Sequence, residues 1–346
     1  MMKFERRTLK GALPRPDWWL VRPDEIGKIC ESVKRGKCEV LAHTPGGFPV
    51  YAVTYGEPKQ ARELNWPSAT GSPHPEYYAG SGPQTVMFIA GVHGEEPEGV
   101  ITLLNLISLM ETGKDLRGVP NPEMVRLAEK FRLVLMPCVN MDGRAISPDC
   151  YVGAQFEDFA DIVYTRLKDG TQLRWPQLKE YYPMPMDQVA QLGTYYNSEG
   201  YNIQLDSAPG NIISNEAKAI LKIAHEERID CMVNLHSARE SPHFVHPTII
   251  NYPGNYKTVH TLNRIWSDKI GRVLNYGEEA YSIQCDINDA VSMATGAVTM
   301  TFEAAALKIE PFENKLEVAY RMLETIMEYG QERPLAPRDK LMRRPE

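Results

Sequence analysis

Four short segments of the chain are almost continuously apolar, and they constrain the fold more than any other feature. A strand covered by helices on both faces needs apolar side chains at nearly every position, whereas a half-buried strand alternates. Helical patterns separate these segments, and that alternation is typical of α/β domains. We therefore predict one α/β domain with a mostly parallel or mixed sheet. The four segments are TVMFIA (85–90), FRLVLMPCVN (131–140), IDCMVNLH (229–236) and AVTMTFEA (297–304).

The remaining patterns divide the chain into three parts. We predict an N-terminal extension over residues 1–80 that is packed on or part of the main domain, a catalytic domain over 81–330 and a basic tail over 331–346. Residues 145–200 have weak periodicity and are interpreted as an insertion near the active face. The smaller elements are predicted as a helix at 23–36, a hairpin at 38–57, and helices at 214–227 and 314–329.

Composition excludes several classes of protein. The 346 residues carry a formal net charge of −7, which argues against non-specific binding to nucleic acid. No segment approaches the 18 consecutive apolar residues of a membrane span, and the first residues lack the apolar region of a secretory signal. Six Cys without a CxxC pair are typical of reduced thiols, so we expect a cytoplasmic protein. Composition leaves the oligomeric state open.

Polar residues lie at or just after the C-terminal end of each of the four apolar segments. Ligand sites in open α/β sheets lie beyond the carboxyl ends of the strands, so we expect these residues to converge. Two His and one carboxylate form a three-ligand zinc set that leaves a position for water. Each residue alone has a structural interpretation, but unpaired charge at three buried strand ends is costly, which favours a metal site. The residues are His93 and Glu96, Asn140 and Asp142, Asn234 and His236, and Glu303.

The motifs that contain these residues make the chain resemble the zinc carboxypeptidases, which are the carboxypeptidase A-like metallopeptidases. The matching pieces are GVHGEE, VNMDGR, GYNIQLD, VNLHS and TFEAA, in the family's order over about residues 80 to 330. The resemblance implies an α/β fold with a mixed, mostly eight-stranded sheet flanked by helices on both faces. It implies zinc bound by His93, Glu96 and His236, with Glu303 as the general base that takes a proton from water.

The resemblance also implies roles for residues outside the main motifs. Arg174, with Arg166 as the alternative, matches the arginine that stabilises the oxyanion. Tyr281 falls where the family has a tyrosine that caps the substrate. Asn288 and Asp289 fall near the floor of the specificity pocket, and a polar or acidic floor favours a polar or basic side chain.

One motif departs from the family pattern. In GYNIQLD, Asn202 takes the place of an Asp that orients a zinc-bound His, and an amide can accept the same hydrogen bond. Gln204 and Leu205 replace the Asn-Arg pair that binds the terminal carboxylate of the substrate. Leu cannot make the bidentate contact of Arg, so Arg239 is the candidate replacement cation.

These features favour an enzyme that hydrolyses peptide or peptide-like amide bonds with zinc as its cofactor. The substrate is expected to be a small peptide or an acylated amino acid. The alternative is an N-acyl amino acid deacylase similar to aspartoacylase and succinylglutamate desuccinylase, which share the fold and an HGxE motif. A non-enzymatic binding module is disfavoured, because His93, Glu96, His236 and Glu303 are all present.

Overall fold

The computed structural model describes residues 4–60, 82–208, 210–238, 242–245, 252–272 and 286–336. Strands in this part of the chain form one large sheet and one small sheet. The strands are β1 (Lys37–His43), β2 (Pro49–Tyr55), β3 (Thr85–Ala90), β4 (Arg132–Met136), β5 (Thr165–Leu167), β6 (Gln172–Leu173), β7 (Val189–Gln191), β8 (Cys231–Ala238), β9 (His243–Val245) and β10 (Val298–Ala305).

The large sheet has a parallel centre and antiparallel edges. Its order is β1-β2-β4-β3-β8-β10-β9. The pairs β4–β3, β3–β8 and β8–β10 are parallel, whereas β1–β2, β2–β4 and β10–β9 are antiparallel. The predicted mixed α/β sheet is therefore confirmed. Seven strands of this sheet lie within the described residues, where the family resemblance implied a mostly eight-stranded sheet.

Helices cover both faces of the large sheet. Five helices, at residues 122–128, 141–146, 156–163, 252–269 and 287–295, have no counterpart among the sequence predictions. No helix within the described ranges combines the length and apolar character needed to span a bilayer. The helices are α1 (Pro23–Glu31), α2 (Pro97–Thr112), α3 (Pro122–Ala128), α4 (Met141–Ile146), α5 (Phe156–Val163), α6 (Asn215–Glu226), α7 (Tyr252–Lys269), α8 (Ile287–Thr295) and α9 (Phe312–Glu332).

The two faces of β3 show why its sequence is continuously apolar. Val86 and Phe88 pack in the core shared with α1, α2, α7 and α9, while Met87 and Ile89 pack in the core shared with α6 and α8. All four side chains are fully buried. Burial of each such side chain stabilises the fold by roughly 1.5–3 kcal/mol, so both helical layers are held by the same strand.

The segment over residues 145–200 forms a small substructure of its own. It contains α5 and a three-stranded sheet in the order β6-β5-β7. Tyr151, Phe159 and Val163 pack together in one apolar cluster of this segment. The strands have two or three residues each, which is too short to produce a clear alternation in the sequence.

The N-terminal residues are tied to the rest of the chain in two ways. Strand β2 pairs with β4, so the hairpin extends the large sheet. Ahead of the hairpin, three arginines surround the carboxylate of Asp149. Arg6 Nη1 lies 2.5 Å and Arg22 Nη2 2.6 Å from an oxygen of Asp149, and Arg15 Nε lies 3.2 Å away. This ion cluster fastens residues 6–22 to the turn that follows α4.

Candidate metal centre

The loop between β3 and α2 brings two polar side chains to one end of the sheet. Gly94 is required there, because a Cβ at this position would lie 2.1 Å from the carbonyl carbon of Gly143. His93 precedes this close approach. Glu96 follows it as the residue immediately before α2, whose first residue is Pro97, a residue that suits the first position of a helix.

Strand β8 supplies the third polar side chain. The Nδ1 atom of His236 lies 2.8 Å from Oε2 of Glu96 and 3.2 Å from Nδ1 of His93. The Nδ1 atom of His93 lies 3.1 Å from Oε1 of Glu96. All three residues are at most 8% exposed. The donor atoms of two imidazoles and one carboxylate therefore converge on one buried point.

The charges of these three groups are strongly coupled. Burial acts to raise the pKa of Glu96, but His236 and His93 lower it to about 2. Burial acts to lower the pKa of His236, but Glu96 raises it to about 9. Burial lowers the pKa of His93, while Glu96 and, to a smaller extent, the side chain of Asn202 oppose that effect. The carboxylate thus stabilises positive charge at the centre of the group.

This donor set fits a zinc ion. The three ligand atoms all lie within 4.8 Å of one another, and within the described residues no other group of His, Cys, Asp and Glu has metal-ligand spacing. Catalytic zinc sites use three protein ligands of this His₂Glu type and leave one position open. His93, Glu96 and His236 would hold a dication, which would compensate the buried carboxylate and accept one nitrogen from each imidazole.

Glu303 lies beside this group without being one of the three converging side chains. It is the Cα partner of His236 in the parallel ladder between β10 and β8, so the two side chains project from the same face. Its side chain is partly exposed. Burial raises the pKa of Glu303 to about 7; His236 lowers it and Glu96 raises it further.

A polar network lies next to His236 on the same face of the sheet. Gln204 joins two elements here: its Nε2 donates to Oδ2 of Asp286 at 2.6 Å, and its Oε1 accepts from Nδ2 of Asn234 at 2.8 Å. Asn288 donates from Nδ2 to Oγ1 of Thr301 at 3.0 Å. Nδ2 of Asn288 also donates to Oδ2 of Asp286 at 3.4 Å, so the predicted substrate-binding residues Gln204 and Asn288 belong to one network.

Sequence reasoning gave Asp286 no role in this network. Its side chain accepts hydrogen bonds from the backbone N–H groups of Asn288 and Asp289 at the start of α8. Burial and the neighbouring Asp289 raise the pKa of Asp286 to about 6. An Asp before an apolar run is a common helix cap, and that pattern alone does not mark it as part of a pocket.

The predicted arginines lie elsewhere. Arg174 pairs with Glu157 at 2.6 Å and its side chain is 42% exposed, and Arg166 pairs with Asp161 at 2.8 Å at the same exposure. Within the described ranges, neither arginine contacts the His–Glu–His group or Glu303. Arg239 and Tyr281, the remaining predicted site residues, lie outside the described residues.

Tyr195 reaches the site from the segment over 145–200, and sequence reasoning did not identify it. Its ring centroid lies 4.4 Å from that of His93, at an interplanar angle of 65°. Burial and the nearby Glu95 and Glu96 raise the pKa of Tyr195. No pattern in the sequence marks Tyr195, since it is one of 17 tyrosines and lies in a segment without periodicity.

Two His and one Glu that converge near the carboxyl ends of a parallel sheet centre are typical of zinc-dependent hydrolases. The sequence model of one such family, zinc carboxypeptidase, matches residues 34–325. The chain therefore belongs to the zinc carboxypeptidase family and is a zinc metallopeptidase, as the motif order predicted. Among curated proteins, none matches the sequence.

Solved structures share the fold at low sequence identity. The metallo-carboxypeptidase from Burkholderia cenocepacia is 14% identical with a TM-score of 0.55, covering 89% of this chain and 68% of that one. Bovine thrombin-activatable fibrinolysis inhibitor, solved with tick carboxypeptidase inhibitor, is 13% identical with a TM-score of 0.52, covering 91% and 99%. The metallo-carboxypeptidase from Pseudomonas aeruginosa, in complex with (2-guanidinoethylmercapto)succinic acid, is 13% identical with a TM-score of 0.51, covering 89% and 68%.

Proposed function

We propose that this chain hydrolyses peptide or peptide-like amide bonds, with zinc held by His93, Glu96 and His236 and with Glu303 as the general base. The observation that carries the proposal is the register of Glu303 with His236, which puts a carboxylate that is not among the converging ligands beside one of them. When bound, zinc supplies a Lewis acid that polarises the scissile carbonyl and lowers the pKa of water.

Glu303 has two tasks in this proposal. It accepts the proton of the attacking water, and it later delivers that proton to the nitrogen of the leaving amine. A carboxylate outside the ligand set keeps its oxygens available for both transfers. The parallel ladder sets its distance from His236, because neighbouring strands lie about 4.8 Å apart.

The substrate side chain is proposed to be polar or basic. Asp286 and Asp289 are both at most 5% exposed and lie together at the start of α8. Negative charge near the substrate side chain would favour a polar or cationic group there by electrostatic complementarity. The Pseudomonas relative is in complex with a ligand that carries a guanidinium group, which fits the same preference.

A deacylase of the aspartoacylase and succinylglutamate desuccinylase type is the second candidate. The observation that favours it is Leu205, which has no charge with which to bind a terminal carboxylate. The neighbouring Gln204 is engaged by Asn234 and Asp286. If Arg239 does not replace the missing cation, recognition of a free C-terminus is weakened.

A substrate panel with zinc-loaded protein separates these candidates. It contains benzoyl-glycyl peptides ending in Arg, Lys or Phe, each as free acid and as amide, together with N-acetyl-aspartate and N-succinyl-glutamate. Cleavage of the peptides, with Arg or Lys above Phe, supports the proposal. Turnover of the acyl amino acids alone supports the deacylase. If none of these compounds is hydrolysed, both candidate functions are wrong.

A further inference from the structure

The hydrolysis proposed above builds negative charge on the carbonyl oxygen of the substrate, and enzymes stabilise such charge with a preorganised donor. Neither Arg174 nor Arg166 contacts the site within the described ranges. We propose that the hydroxyl of Tyr195 is this hydrogen-bond donor and that Tyr195 is a catalytic residue. This inference rests on the proposed hydrolase function.

The position of Tyr195 is the first support. Its ring packs against His93 with the centroids 4.4 Å apart. Glu95, Glu96 and Glu303 all lie near enough to interact electrostatically with its side chain. The ring therefore lies against one proposed metal ligand, with the proposed general base among the charges that act on its hydroxyl.

The backbone around Tyr195 is fixed to the ligand loop. The N–H of Gly94 donates to the carbonyl oxygen of Thr194 at 2.9 Å, and Oγ1 of Thr194 donates to Oε2 of Glu95 at 3.0 Å. Nδ2 of Asn140 lies 3.4 Å from the carbonyl oxygen of Tyr195. A donor held by its surroundings does not have to be reoriented during the reaction, which is the condition for electrostatic stabilisation.

The hydroxyl of Tyr195 differs from that of the next tyrosine. Within the described residues it makes no hydrogen bond, and the side chain is partly exposed. The hydroxyl of Tyr196 instead donates to the carbonyl oxygen of Leu178 at 2.8 Å, and Tyr196 is 1% exposed. A phenol hydroxyl is a hydrogen-bond donor, so the group has the chemistry that the role requires.

The proposed step balances without proton loss from Tyr195. The water oxygen bonds to the carbonyl carbon, the π electrons of the C=O bond move to its oxygen, and Glu303 takes the water proton. Tyr195 donates a hydrogen bond to the resulting oxyanion. When the C=O bond re-forms, the C–N bond breaks and the proton on Glu303 passes to the nitrogen.

The decisive variant is Tyr195→Phe, which keeps the ring against His93 and removes only the hydroxyl. With the best substrate of the panel, we expect kcat to fall about 10²- to 10³-fold, the usual loss for one oxyanion donor, with KM and zinc content unchanged. Tyr196→Phe is the matched control; it loses a structural hydrogen bond, so it should lower stability and leave kcat near that of wild type. A near-normal kcat in Tyr195→Phe, a rise in KM alone, or loss of zinc would each overturn the assignment.

A binding measurement tests the same donor without turnover. The probe is the phosphonate analogue of benzoyl-glycyl-arginine, in which a tetrahedral anionic phosphorus group replaces the scissile carbonyl. Calorimetry on the zinc-loaded proteins should show weaker binding of this analogue to Tyr195→Phe, with no change for free arginine. Equal affinity of both proteins for the analogue overturns the assignment, whether or not the panel identifies a substrate.

Discussion

Glu303 and His236 are Cα partners on the parallel strands β10 and β8, and their side chains project from the same face of the sheet. Two neighbouring strands thus place one proposed metal ligand and one proposed general base side by side. A loop is not needed to bring them together. The distance between them is set by the strand ladder, which also buries apolar residues on both faces.

Glu303→Gln tests the proposed base with little change in size. The amide cannot accept the proton of water, so we expect hydrolysis to fall about 10²- to 10⁴-fold, the scale for loss of a general base. Zinc content and the melting temperature should stay near those of wild type. Near-normal turnover of the best panel substrate would place the base at another residue.

His236→Ala tests the proposed metal ligand. Removing one of three protein ligands should abolish stoichiometric zinc, because the remaining His93 and Glu96 offer only two donor atoms. Elemental analysis after dialysis measures the change. His225→Ala is the control, since His225 is an exposed residue in the last turn of α6. Stoichiometric zinc retained by His236→Ala would show that the ligand assignment is wrong.

The sequence predicts the large sheet well because strands that are buried on both faces need apolar side chains at nearly every position. Strands such as β3 are apolar on both faces, and the polar residues that follow them mark the end of the sheet where His93 and Glu96 meet. The family assignment follows from the same residues and is confirmed. The zinc ligands and Glu303 stay predictions, although the structure brings them together.

The parts that the sequence does not predict depend on tertiary contacts between distant segments. Tyr195 reaches His93 because Thr194 pairs with Gly94, about 100 residues earlier, and no local pattern encodes that pairing. Asp286 resembles an ordinary helix cap until its bond with Gln204 is seen. The short strands β5 to β7 are held by packing within their own segment rather than by alternation.

The titration of Glu216 should make the free energy of unfolding depend on pH. Its Oε1 accepts a hydrogen bond from Nδ2 of Asn197 at 3.1 Å, and burial raises the pKa of Glu216 to about 7. The folded state thus binds this proton more tightly than the unfolded state. Its contribution to the free energy of unfolding is fully present below pH of about 4.5 and decreases as the pH rises to about 7.

Glu216→Gln removes this titration. Relative to wild type, the variant should gain stability at pH 8, by about 3 kcal/mol at most, and the difference should shrink toward pH 5. Urea unfolding at the two pH values measures it. A difference that is the same at both pH values would contradict the proposed cause.

Asp289→Asn tests the acidic pocket. Removing one of two neighbouring carboxylates should weaken the binding of a cationic substrate side chain. The ratio of kcat/KM for the Arg peptide to kcat/KM for the Phe peptide should therefore fall about tenfold. Asp24→Asn is the control, because Asp24 lies exposed on α1. An unchanged ratio would mean that Asp289 does not contact the substrate side chain.

Gln204 and Leu205 replace the family's Asn-Arg pair, so recognition of a free C-terminal carboxylate should be weakened. Rates of cleavage of a peptide and of its C-terminal amide measure this recognition. A lost charge-assisted contact is worth roughly 1.5–3 kcal/mol, so without a substitute cation the preference for the free acid should drop by about tenfold to a hundredfold. Equal cleavage of both forms by wild type supports an amidase or endo-acting enzyme.

A strong preference for the free acid that disappears in Arg239→Ala shows that this residue, which lies outside the described ranges, binds the carboxylate. A strong preference that survives the substitution contradicts both explanations, because neither Leu205 nor Arg239 would then account for recognition of the terminal carboxylate.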